Sequence, residues 1–220
     1  MQSAESYESP GPFASPQGAE SAALFSHVMA LVAATLGAVT LGAYLGRDLG
    51  EGASLLFFII GFLCFAGLNF AREAEGPAVT LLLAGGLTTG LGLGGGLVAF
   101  AEADPQAFWQ AAAATALFVA GLGSAGYLVR SDLSGGYRLL FLLLLVLIGF
   151  GLVSLFVSMP AGNVAYTLLG LGIFGGYTVL DFNRMRRAGI QEAVPIAAGV
   201  FLDIVNIFLF FLPMAGRGRD

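Results

Sequence analysis

Apolar runs of about 20 residues recur in this chain from residue 24 almost to its end. Each is long enough to cross a hydrocarbon core about 30 Å thick. Within hydrocarbon every backbone N–H and C=O must be paired internally, so helices are the expected spanning elements. The runs are too long and too unalternating for barrel strands. Seven spans are predicted, over 24–46, 53–72, 77–100, 107–129, 137–158, 162–183 and 194–213. They are separated by "GRDLGEG", "REAEGP", "EADPQ", "RSDLSGG", "MPAGN" and "RMRRAGIQEAVP". The expected fold is an all-α membrane protein, a seven-transmembrane-helix bundle.

Composition agrees. Only 10% of the 220 residues are charged, where a soluble domain carries about 25%. The exception is the start. Residues 1–23, "MQSAESYESPGPFASPQGAESAA", are rich in Ser, Pro, Gly and Glu and contain no Lys or Arg. They lack the basic start of a signal peptide and are expected to form a disordered polar tail. Residues 24–214 then form the integral domain and 215–220 a short tail. The net charge of −5 owes much to the first tail, and no basic patch suggests nucleic acid.

The chain has no lysine; its fixed cations are all arginines. With seven spans, one side holds Arg72, Arg130, Arg138, Arg184, Arg186 and Arg187. The opposite side holds Arg47, with Arg217 and Arg219 in the C-terminal tail. The positive-inside rule then puts the N-terminus in the cytoplasm and the C-terminus outside. A bacterial inner (cytoplasmic) membrane is the expected location.

Most catalytic classes find no support. "GLGLGG" (90–95), "GLGSAG" (121–126) and "GLGIFG" (170–175) match a dinucleotide-binding pattern. Each lies inside an apolar span without the strand, helix and acidic residue that the pattern requires. Small residues four apart, such as Gly86, Gly90 and Gly94 or Gly172 and Gly176, instead let helix backbones approach closely. His27 is the one histidine and Cys64 the one cysteine, too few for a structural zinc site. His27 is expected at the membrane interface. Ser124 and Ser154 lack the setting of a hydrolase nucleophile. An enzyme is not expected, and neither is a cofactor.

Two of the 14 acidic residues stand apart. Asp203 lies in the middle of "AAGVFLDIVNIFLFFLP", about 13 Å from the start of its span. A carboxylate on the lipid face is costly, so it should face the bundle interior. Asn206 is three residues on, on the same face. Asp181 is near the end of span six, ahead of Asn183 and the Arg184, Arg186 and Arg187 cluster. A short loop makes spans six and seven antiparallel neighbours, so the two carboxylates can meet. If they do, they cannot both ionise cheaply in low dielectric and should share a proton, titrating as a pair. Stable with one proton and repulsive with none, the pair is an element biased by pH. The alternative is a buried Asp–Asn or Asp–Arg contact that merely fixes helix register.

"FLDIVNIFLFFLP" resembles the last-helix motif of the Bax inhibitor-1 family, roughly L-Y-L-D-x-x-N-L-F-L-x-L-L, through Leu202, Asp203, Asn206, Phe208 and Leu209. "GYTVLDFNRMR" resembles the family's sixth-helix motif, which usually reads A-Y-D-T-Q-x-I. "RSDLSGGYRLLFLLLLVLIGFGLVSLF" is similar to its segment after helix four, and the likeness covers residues 77–213 in order. The resemblance implies a bacterial member, a seven-helix bundle with the last helix packed centrally. It also implies a Ca²⁺ leak across the membrane that depends on pH. The implied sensor is a hydrogen-bonded aspartate pair, by motif match Asp181 and Asp203, which would also offer oxygen ligands to Ca²⁺. Arg72 is the candidate for the helix-two arginine that contacts the pair in some members. Leu180 stands where the motif has Tyr, and Asn183 roughly where it has Gln.

Two further readings compete with the leak. One is a regulatory protein that binds a membrane protease or other partner without significant ion flux, with tail 1–23 as a handle. The other is a proton-coupled transporter, which substrate-dependent counterflow would reveal.

Overall fold

The computed structural model describes residues 16–71, 74–154 and 160–217. Seven helices and no strand occur among them: α1 (Pro16–Gly46), α2 (Glu51–Gly67), α3 (Glu75–Ala103), α4 (Pro105–Leu128), α5 (Gly136–Ser154), α6 (Pro160–Met185) and α7 (Ala193–Arg217). A short 3-10 turn, Ile190–Glu192, precedes α7. Six of the helices are long and apolar enough to cross a membrane. The exception is α2, whose 17 residues extend only about 25 Å.

Several boundaries differ from the sequence reading. Span two is expected to run to residue 72. Instead α2 ends at Gly67, and Leu68, Asn69, Phe70 and Ala71 donate in turn to the carbonyls three residues back. Such tight turns shorten the apolar rod without leaving its backbone groups unpaired. The polar tail is expected through residue 23, but the helix starts at Pro16. Proline suits a first helical position, where its missing N–H has no helical partner anyway. Residues 1–15 lie outside the described residues, as does the end of the expected fifth span. At the other terminus α7 runs through Pro213 to Arg217, rather than stopping at the proline. The α3–α4 break lies where "EADPQ" places it: Asp104 Oδ1 accepts from Ala107 N at 2.9 Å, with Pro105 opening α4.

Backbones pack closely where glycines are stacked. A Cβ on Gly86 would collide with Thr35, on Gly90 with Val39 and Ala43, and on Gly94 with Ala43 and Gly46. All are residues of α1, so these three glycines seat α3 against it, as their spacing predicts. Gly172 is different, with nothing within 4 Å of its Cβ position, while Gly176 meets Leu140 of α5. On the bundle's outside Leu55, Phe62, Leu145, Val146 and Ile148 are exposed. α5 buries just Leu147 among its described side chains. Such apolar surfaces suit a lipid solvent, where exposure of leucine carries no hydrophobic cost.

α7 packs against α1, α3, α4 and α6. Ala197, Val200, Phe201 and Ile207 of α7 are almost wholly buried, and the Phe201 ring stacks on Phe65 of α2 at 5.3 Å. This interior position brings the acidic residue of α7 away from lipid. An apolar cavity of about 1250 Å³ lies between α1, α3, α4 and α7, and neither Asp181 nor Asp203 lines it. His27 Nε2 is 3.4 Å from Glu75 Oε1, both partly exposed. It sits level with the first turn of α3.

Candidate functional site: a buried pair of carboxyls

α6 and α7 pack side by side, and each turns its acidic residue inward. Asp181 is 6% exposed and Asp203 4%. The close approach of α7 to Asp181 is made at Gly199, one turn before Asp203. A Cβ there would run into Asp181 Oδ2. The missing side chain of Gly199 is therefore the space that the Asp181 carboxyl occupies. Asp203 in turn feels the charge of Asp181 and the hydroxyl of Thr178, one turn before Asp181 on α6. Thr178 is buried and donates to its own helix at Phe174 O, 2.9 Å away. The two acids thus lie at neighbouring levels of one helix interface, as the short connecting loop requires.

Their hydrogen bonding is unequal. Asp181 Oδ1 accepts from Tyr137 Oη at 2.6 Å. Asp203 Oδ2 is buried without a hydrogen-bond partner. A buried acceptor left unpaired costs about 1–3 kcal/mol, and far more if it carries a full charge. A proton on that oxygen would remove the charge that makes its burial costly. Among the described residues no group of three or more His, Cys, Asp and Glu side chains converges. A Ca²⁺ ion here would have two carboxyls and would complete its shell with water, hydroxyl or carbonyl oxygens.

The supporting residues divide. Asn206 turns back on its own helix, donating to Leu202 O at 2.8 Å. Arg72, the candidate latch, lies outside the described residues. Asn183 is 1% exposed and works on the α4–α5 connection rather than on the acids. Its Nδ2 donates to Gly126 O, Val129 O and Ser131 O at 3.3, 2.9 and 3.2 Å. Its Oδ1 accepts from Leu133 N at 3.2 Å and from Arg187. Asn183→Ala is expected to lower stability in detergent by about 1–3 kcal/mol, because these buried groups lose their partner. A thermal unfolding curve reads the loss, and an unchanged curve would show the clasp to be dispensable.

Two ion pairs frame the same end of the bundle. Arg184 Nη2 is 2.7 Å from Glu192 Oε2, and Arg187 Nη2 is 2.9 Å from Asp132 Oδ1. The Ser134 amide, more than Arg187, holds the Asp132 carboxyl below the usual carboxylate range. A carboxyl with a lowered value supports the fold above its ordinary range and loses that support as pH falls through it. Being exposed, Asp132 clasps its loop at neutral pH and releases it only in acid.

Sequence reasoning found both acids and missed Tyr137, Thr178 and Gly199. Thr178 lies three residues before Asp181 and Gly199 four before Asp203, so helical spacing alone marks their faces. No comparable signal links Tyr137 to Asp181, 44 residues away.

Comparison with known proteins finds a matching family model and several bacterial relatives. The family model described as "Inhibitor of apoptosis-promoting Bax1" matches residues 22–220. A protein of Helicobacter pylori is 26% identical over 185 residues, 82% of this chain and 80% of the relative. One of Chlamydia muridarum is 32% identical over 198 residues, 80% and 83% of the two chains. A relative in Streptococcus pyogenes serotype M1, described as a membrane protein, is 26% identical over 175 residues, 76% and 73%.

Proposed function

The chain belongs to the Bax inhibitor-1 family, and from that premise we propose that it is a pH-sensitive cation leak, with Ca²⁺ as the ion. The observation that carries this reading is the unpartnered, buried Oδ2 of Asp203 beside the Asp181 carboxyl. Two acids in one low-dielectric interface share a proton more readily than they both ionise. Losing that proton leaves two like charges across α6 and α7, and their repulsion biases the helices apart. The same oxygens can replace part of the hydration shell of a hard cation. With few protein ligands such a site is suited to an ion in transit, since conduction needs binding weak enough to release.

On this reading all seven helices cross the membrane, the short α2 included, through local thinning or the turns that follow it. Arg130, Arg138, Arg184, Arg186 and Arg187 then lie on the cytoplasmic side of a bacterial inner membrane, with the N-terminus inside and the C-terminus outside. The test is reconstitution. The purified chain in liposomes is expected to admit Ca²⁺ to a trapped dye, at a rate that changes between mildly acidic and mildly alkaline pH. Liposomes as tight as empty ones at every pH would sink the proposal.

A further inference from the structure

A cavity of about 370 Å³ with charged side chains in its wall lies at the end of the bundle where α4 passes to α5 and α6 to α7. Asp132, Ser134, Tyr137, Arg184, Arg187 and Glu192 line it. Its charges are already balanced, Arg184 by Glu192 and Arg187 by Asp132, and these side chains are 37–65% exposed. Water therefore reaches this cavity. Asp181 is not part of its lining, yet it is one hydrogen bond away. The Tyr137 side chain forms part of the wall, and its Oη is 2.6 Å from Asp181 Oδ1. One phenol thus stands between a wet, charged cavity and a carboxyl that is almost wholly buried.

We propose that this cavity is the aqueous entrance to the Asp181–Asp203 site, and that Tyr137 is the positioning residue that closes it. The claim about protons stands on the geometry alone; the claim about cations rests on the leak reading. The O–H of Tyr137 occupies an acceptor position on Asp181 that water or an incoming ion would otherwise take. Its ring stands beside that of Tyr177, 6.1 Å between centroids. The titratable and charged groups that face the acids are Tyr137 from α5, Tyr177 and Arg184 from α6, and the two acids each other. Arg184 is held by Glu192 on its outer side, which leaves Tyr137 as the neutral closure between cavity and carboxyl.

The test uses the full chain in lipid and two readouts. Infrared spectroscopy follows the carboxyl band and the rate at which its proton exchanges with deuterium. A trapped dye follows Ca²⁺. Tyr137→Phe keeps the ring and removes the donor, so the band is expected to move in frequency. Tyr137→Ala is expected to speed exchange several-fold and to raise Ca²⁺ flux at a fixed pH. In a chain carrying Cys64→Ala, Ser134→Cys is expected to react with a charged, water-soluble thiol reagent, and the adduct to slow exchange several-fold. This second variant leaves Tyr137 and the fold intact. Faster exchange in Tyr137→Ala or slower exchange in the adduct, with no Ca²⁺ flux in any chain, would remove the leak and keep the entrance. An exchange rate unmoved by both changes would overturn the entrance whatever the flux shows.

Discussion

Asp203→Asn should give a Ca²⁺ flux that no longer varies with pH, held at the level the unaltered chain shows at the acid end of its range. The reasoning follows the proton. On the leak reading, the α6–α7 interface holds at least one proton between its two carboxyls at the acid end. Raising pH removes it and leaves like charges facing one another in low dielectric, where their repulsion is screened least. An asparagine at 203 fits the same volume and, like a protonated acid, carries a donor and no charge. It has no proton to lose in this range, so the doubly charged state cannot form. Asp181 keeps its donor from Tyr137 and the nearby charge of Arg184. The measurement is dye-reported Ca²⁺ entry into liposomes across pH, beside the unaltered chain at matched protein density. A variant that follows the unaltered curve would remove the pair from the mechanism. Stability should change little, because the amide leaves no buried charge and creates no cavity.

What the sequence revealed and what it hid follow from the range of the interactions. Spans are local: a run of apolar residues must lie in hydrocarbon whatever its neighbours do, so α3, α4, α6 and α7 start and stop within a few residues of expectation. The meeting of Asp181 with α7 was legible too, since a short loop and two helical periodicities leave few registers. The end of α2 was not, because residues 68–71 are as compatible with a continuing helix as with the turns they form. Pro213 misled in the other direction. Proline marks a stop in an isolated helix, but α7 continues past it by one turn. Asn183 looked like a site residue from its place in a motif, yet apart from Arg187 its partners lie 50 or more residues away, at the end of α4 and on the α4–α5 connection. Tyr137 was hidden for the same reason. Contacts between distant segments depend on how each helix is rotated about its axis, and spacing within one helix does not report that.

Helix rotation also separates glycines that look alike in sequence, and predicts opposite outcomes for one substitution. Gly→Ala inside a helix gains about 1 kcal/mol from propensity alone. At Gly172 nothing lies within 4 Å of the new methyl, so Gly172→Ala should raise stability by up to about 1 kcal/mol. At Gly90 the methyl would fall on the Val39 carbonyl, with Ala43 N at 2.9 Å. Those atoms are backbone and cannot rotate aside, so α1 as a whole must move off α3. Gly90→Ala should therefore lose about 2–3 kcal/mol net, near the top of the usual range for overpacking. Gly90→Val, which adds two further carbons to the same seam, should fail to assemble a stable bundle. Unfolding in mixed detergent reads all three. Because α1 and α3 also flank α7, Gly90→Ala should loosen the helix that carries Asp203, and its Ca²⁺ flux should lose pH control in proportion to its lost stability. Equal stability of the two alanine variants would show that α3 does not seat on α1 through Gly90.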